Sequence, residues 1–227
     1  MQRGCGNIFL ILFAWLGPAH AFAQPIVQTP TLDRPAGYYP DSVFVNILCA
    51  NPGAALHYTL NGDEPTLISP LYTQPLLIKD RASVPNSLSL IPTNPGFNFP
   101  VPGYDSGRAD DRGWLPPYDT VNKCTVLKVK AFLNGYLPSK TVTATYFIGA
   151  QLNNRYPFPV ISISADSMDL FSDSTGLFVY GNDTADKGNF AKPRFEKEIY
   201  FEYFDTEGNR MLSQHCGMQI HGHGGEY

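Results

Sequence analysis

Residues 55–60 alternate apolar and polar side chains, with Leu56, Tyr58 and Leu60 on one side and His57 and Thr59 on the other. Alternation with period two marks a half-buried strand, because successive side chains of an extended chain point to opposite faces. The run ends at Asn61-Gly62, the dipeptide that best tolerates the positive φ angles of a tight hairpin, so a hairpin turn is predicted there. Further strands are predicted over residues 42–49, 71–78, 125–133 and 141–148, each bounded by Gly, Pro or Asn. Their inward faces read as Val43, Val45, Ile47 and Cys49, then Leu127, Val129 and Ala131, then Val142, Ala144, Tyr146 and Ile148. Short strands at this spacing predict an all-β fold, an immunoglobulin-like β-sandwich over roughly residues 29–149.

Two stretches flank or interrupt that pattern. Residues 24–34 are rich in Pro and Thr and read as an extended lead-in. Residues 83–122 form a long connection rich in Pro, Asn, Gly and Asp, and connections of that length commonly carry function. Phe97, Phe99, Tyr104, Trp114 and Tyr118 fall within it, near Asp and Arg residues. Aromatic faces there could stack on the apolar face of a sugar ring, which makes these five the candidate ligand-binding residues and a cell-wall or other glycan the candidate partner. The simpler reading is that they pin the loop onto the sandwich.

After a short linker at 153–157, residues 159–164 read as a strand, and Asp166 as the N-cap of a helical turn reaching Phe171. A strand is predicted over 176–181. A hairpin follows, with Phe195, Ile199, Phe201 and Tyr203 on one face, a turn at 205–208, and a return strand through Cys216, Met218 and Ile220. This gives a partial, mostly β second domain over residues 157–227.

Composition narrows the function classes. The net charge of −4 comes from only 16% charged residues, with no basic block, so a nucleic-acid partner is not expected. Arg3, the apolar run 8–16 and the small-x-small site Ala21-Phe22-Ala23 predict a signal peptide over residues 1–23, cleaved before Gln24. No second long apolar stretch follows, so the expected product is exported, with no retained membrane segment. Cys49, Cys124 and Cys216 survive cleavage, an odd number. Cys49 and Cys124 sit on strands of one domain, but Cys124 is out of phase with Leu127 and Val129. That parity favours two buried free thiols over a Cys49–Cys124 bond.

The wording of two segments carries a resemblance. Residues 57–66 (HYTLNGDEPT) and 69–78 (SPLYTQPLLI), with Pro35–Tyr39, Asn134–Ser139 and the closing TVTATYFI, resemble the C-terminal accessory domain of chitobiase and β-hexosaminidases. The resemblance implies a non-catalytic sandwich over residues 35–149, with 83–122 as an insertion. Further along, Pro159–Ile163 (PVISI), Asp169–Phe171 (DLF), Gly176–Asn182 (GLFVYGN), Glu202–Gly208 (EYFD-x-x-G) and Gln214–Gly222 (Q-x-x-G-x-x-IHG) follow one another. This order resembles the opening of the CotH kinase-like domain, and the phrase Leu88–Asn94 fits such tandem proteins. The resemblance implies a nucleotide-binding and catalytic body C-terminal to residue 227, so the chain is expected to be a truncated piece that is not itself an enzyme. No family catalytic residue can be carried over.

Candidate chemistry is sparse. Gly222-His-Gly224-Gly225 begins like a dinucleotide-binding loop, but Tyr227 stands where the third glycine belongs and no helix follows, so no cofactor is expected. His215, His221 and His223 share a strand face, with Cys216 on the opposite one. Asp166, Asp169 and Asp173 lack the calcium-loop pattern, so no metal site is predicted. Asp63-Glu64 and Asp110-Asp111 are adjacent carboxylates, which diverge rather than face each other across a substrate, and Asp63-Glu64 reads as a solvated turn. Catalytic residues are therefore expected to be none.

Overall fold

The structure, a computed structural model, describes residues 23–91, 120–172, 174–179, 189 and 196–220. Among the described residues the fold is all-β, with two short α-helices and a 3-10 turn at Leu88–Leu90. The alternating segments form its strands: β1 (Thr31–Leu32), β2 (Gly37–Tyr39), β3 (Val43–Val45), β4 (Ile47–Leu48), β5 (Ala55–Thr59), β6 (Leu76–Ile78), β7 (Thr125–Phe132) and β8 (Val142–Ile148). One layer is a four-stranded sheet in the order β2-β8-β7-β5, antiparallel except where β2 runs parallel to β8. The facing layer consists of two short antiparallel pairs, β1 with β4 and β3 with β6. The extended run of residues 42–49 changes partner at Asn46. Asp33 fixes that change, since its carboxylate accepts hydrogen bonds from the Asn46 backbone N–H at 2.7 Å and from Nδ2 at 2.8 Å.

Val45, Ile47 and Ile78 from one layer meet Leu127, Val129, Ala144 and Tyr146 from the other, all buried in one cluster. Most of the predicted inward residues are found there, with Val43 and Ile148 only partly buried against the cluster, while Cys49 and Val142 lie outside it. The Tyr146 hydroxyl donates to the Arg34 carbonyl at 2.9 Å, so a buried phenol leaves no polar atom unmatched. Cys49 and Cys124 are half-buried free thiols. Cys49 Sγ points to the Gln28 carbonyl at 3.6 Å, while Cys124 packs against the core cluster.

Several segments depart from expectation. Asn61-Gly62 is not a two-residue hairpin: Gly62 has a φ of +90°, but Asn61 does not share the positive angle. Instead Asn61 Nδ2 donates to Asp63 Oδ2 at 2.7 Å, closing a local turn. The chain returns later, with the Tyr58 N–H donating to the Pro70 carbonyl and the Tyr72 N–H to that of Leu56. The lead-in is part of the sandwich, contributing β1 and the buried Val27, whose N–H donates to the Leu137 carbonyl at 2.9 Å. The linker is also packed. Residues Leu152–Arg155 form helix α1, burying Leu152, and Tyr156 lies against Tyr38 and Phe147 with ring centroids 5.9 and 5.8 Å away.

The second segment holds β9 (Val160–Ser164), helix α2 (Ser167–Phe171), β10 (Lys197–Phe204) and β11 (Arg210–Met218), with the antiparallel sheet order β11-β10-β9. Helix α2 begins where expected, the Asp166 carboxylate accepting from the Met168 N–H at 2.9 Å. The predicted strand at 176–181 is not a strand over its described part. Leu177 and Phe178 donate their N–H groups to the Asp169 and Leu170 carbonyls, folding the chain back on α2 in turns. Gly176 permits this, because a Cβ there would lie 2.6 Å from the Ser172 backbone.

The hairpin turns at residues 205–208, as predicted, with Asp205 accepting from the N–H groups of Glu207 and Asn209. Its buried face is not the predicted one. Ile199 is buried but Phe201 and Tyr203 are only partly so, whereas Glu202 and Phe204 are fully buried. The reason is that this sheet lies on the sandwich by its Ser162, Glu202 and Phe204 side. Its opposite side, with Ile161 at 55% and Leu212 at 49% exposure, faces outward.

Candidate functional site: the junction and its charged cleft

β8 is buried on both faces. Ala144 and Tyr146 point into the sandwich, while Thr143, Thr145 and Phe147 lie under the second sheet. At the centre of that junction is Glu202, 0% exposed. Its Oε2 accepts from Thr145 Oγ1 at 2.5 Å, and its Oε1 from Arg210 Nη1 at 3.0 Å. Thr145 has a single hydroxyl proton, already given to Glu202, so the 2.9 Å contact with Ser162 Oγ has Ser162 as donor. Arg210 Nη1 also donates to the Thr143 carbonyl at 3.2 Å. A buried carboxylate is tolerated only when paired and hydrogen-bonded, and both conditions hold here. Beside this network Phe204 meets Phe147 edge-on at 5.4 Å. Gly37 and Gly208 bring the hairpin turn against β2: a Cβ on Gly37 would sit 2.5 Å from the Gly208 carbonyl oxygen, and one on Gly208 would run into the Tyr38 ring.

Next to the junction lies a cleft of about 610 Å³. Its sandwich wall carries Lys128 and Lys130 of β7, Lys140, and Glu64. The opposite wall carries Asp166, Asp169, Glu198, Tyr200 and His215. Many of these charges are already matched. Lys130 pairs with Glu64 at 2.8 Å, and Thr141 donates to the same carboxylate. Burial pushes the Glu64 carboxyl upward, but the hydrogen bonds from Lys130 and Thr141 outweigh it and hold the group below the ordinary range. Lys197 pairs with Asp169 at 2.9 Å. His215 Nε2 lies 3.8 Å from Glu198 Oε2.

Lys128 is the exception. It is only 7% exposed, yet its ammonium makes no hydrogen bond or ion pair among the described residues. Burial lowers its pKa, an effect that the more distant charges of Glu64, Asp166 and Asp63 only partly oppose. In the sequence Lys128 falls at an outward position between Leu127 and Val129, so it reads as a solvent lysine. Only the sheet laid over β7 and β8 encloses it. The same covering hides Thr143 and Thr145, and no local signal in the sequence marks either.

The carboxylates Asp63 and Glu64 diverge. Asp63 Oδ1 accepts from the Ser167 N–H at 3.0 Å, at the start of α2, while Glu64 turns to Lys130 and Thr141. Asp166 caps α2 and Asp169 holds Lys197. Among the described residues no three His, Cys, Asp or Glu side chains gather as metal ligands. His221, His223, Asp173, Asp110, Asp111 and the glycines of the 222–225 loop lie outside the described residues, as does the leader before Ala23. So do all five candidate sugar-stacking residues, Phe97, Phe99, Tyr104, Trp114 and Tyr118.

The described chain is thus a β-sandwich with a second sheet fastened to one face, beside a cleft lined by charged and polar side chains. Residues 34–88, from just before β2 to ten residues past the end of β6, match the family model described as Chitobiase/beta-hexosaminidase C-terminal domain. The chain therefore contains such a domain in that stretch. No curated protein and no solved structure matches the chain.

Proposed function

We propose that the chain is a non-catalytic accessory sandwich joined to the opening sheet of a CotH kinase-like protein, and that the whole is exported. The reading of the sandwich is supported by the family match at residues 34–88. The kinase-like part is supported by the ordered motifs between Pro159 and Gly222 and by where they fall: PVISI on β9, DLF in α2, EYFD-x-x-G at the β10 turn. The observation that carries the accessory role is the junction itself. Glu202, Arg210, Thr145 and Ser162 fix the second sheet in one orientation on the sandwich, as a platform would hold a neighbouring domain. Phosphoryl transfer needs a phosphate-cradling loop, a positioned lysine and carboxylates for Mg²⁺, and this reading assigns none of them to residues 24–227.

Calorimetric titration of the secreted chain with ATP and Mg²⁺ tests the non-catalytic assignment. The expected result is no heat above dilution. A dissociation constant tighter than about 1 mM, a binding free energy of about −4 kcal/mol, would overturn it. Reading the genomic frame beyond codon 227 tests the kinase-like assignment, which fails if no related coding sequence follows in any frame.

A further inference from the structure

We propose that the cleft between the sandwich and the second sheet binds a small zwitterion, an amino acid or the end of a peptide, with Lys128 taking the ligand's carboxylate. The inference does not depend on the kinase-like reading. It starts from Lys128, more than nine-tenths buried, lining the cleft, and without a hydrogen-bond or ion-pair partner among the described residues. The stem of Lys128 is covered, but its ammonium is not among the buried side-chain atoms left without a partner, so it meets the solvent of the cleft and is open to pairing with an incoming anion. The volume of about 610 Å³ falls within the range usual for small-molecule sites.

The charges around the cleft decide what kind of anion fits. Once internal pairs are set aside, Lys128 and Lys140 remain on the sandwich wall. On the other wall Asp166 uses only Oδ1 to cap α2, and the Glu198 carboxylate is 3.8 Å from His215 and largely in solvent. A simple anion reaching Lys128 would also meet the fields of Glu64 and Asp166, which already act on that lysine. A simple cation would satisfy the acids and leave Lys128 unpaired. A ligand bearing both signs answers both walls: carboxylate toward Lys128 and Lys140, ammonium toward Asp166 and Glu198. Tyr200 and Thr143 line the floor between them and supply neutral hydrogen-bonding groups.

The test is calorimetry of the intact chain with glycylglycine, with its N-acetylated form and with its C-terminal amide. Saturable binding of glycylglycine is expected, with each blocked form at least about tenfold weaker, since each loses one charge pair. Lys128→Met, close to lysine in shape, is expected to lose about tenfold in affinity, and Lys140→Ala, at an exposed position, a smaller factor. Should Lys128→Met fail to fold, Lys140→Ala and the blocked ligands decide the matter. Free glycine binding as tightly as the dipeptide would assign the site to amino acids, and weaker binding to peptide ends; both keep the proposal. No saturable heat with glycylglycine at millimolar concentration, equal binding of a blocked form, or unchanged binding to folded Lys128→Met would overturn it.

Discussion

Replacing Arg210 by alanine is the sharpest perturbation of the junction, because it leaves the Glu202 carboxylate buried with no cation beside it. The two halves of the pair are unequal: the Glu202 side chain is 0% exposed, that of Arg210 29%. If the pair behaved as a surface salt bridge, its loss would cost about 0.2–1 kcal/mol. Stranding a buried charge costs about 3–5 kcal/mol instead. Since Arg210 is partly wet, the lower end, about 3 kcal/mol, is the expected loss. Glu202→Gln removes the charge while leaving an acceptor for Thr145, and is expected to cost about 1–2 kcal/mol. Combining the two substitutions should cost less than their sum, because the neutral amide no longer needs Arg210. Guanidinium unfolding of the purified chain, followed by circular dichroism, measures all three. A loss below about 1 kcal/mol for Arg210→Ala, or strict additivity with Glu202→Gln, would refute the idea of a buried clamp.

Two further outcomes are expected. Phe204→Ala removes a fully buried ring packed on Phe147, and should cost about 3–5 kcal/mol in the same unfolding assay; a loss near zero would mean the second sheet does not share the sandwich core. Lys128→Met should stabilise the ligand-free chain at pH 7. Burial lowers the folded-state pKa of Lys128, so between that value and the unfolded value of about 10.4 the unfolded chain binds more protons and stability rises with pH. The gain from Lys128→Met is therefore largest below the folded-state pKa and fades as the pH approaches about 10.4, which urea melts at pH 7 and pH 10 would reveal; a destabilised variant at pH 7 would contradict it.

The sandwich was legible where alternation matches burial, as at Leu127 and Val129 or Ala144 and Tyr146, and less so at β5, where His57 is buried and Leu60, just past the strand's end, is exposed. The junction was not. Thr143 and Thr145 occupy positions that alternation assigns to solvent, and Glu202 lies between aromatic residues that look like the buried face of a hairpin. Both readings fail for one reason: a sheet that packs by its polar side inverts the usual link between polarity and exposure, and hydrogen-bond matching across the contact cannot be read from one strand alone. At Gly176–Val179 the β-branched and aromatic residues suggested a strand, but hydrogen bonds back to α2 capture the segment first. At the turn after Thr59 the Asn61 and Asp63 side chains close the chain on itself, where Asn-Gly alone suggests a two-residue hairpin. Lys128, like the threonines, stands at a position that alternation assigns to solvent and is covered by the same sheet.

Native-state hydrogen exchange of the purified chain tests most directly whether the sandwich and the second sheet are one unit. Amides of β7, at Leu127 and Val129, report on the sandwich, and those of β10, at Phe201 and Glu202, on the docked sheet. If the buried network joins them, both sets open with the same free energy, and Arg210→Ala lowers both equally. Amides of β10 exchanging through a separate, lower-energy opening that leaves β7 protected would contradict the account.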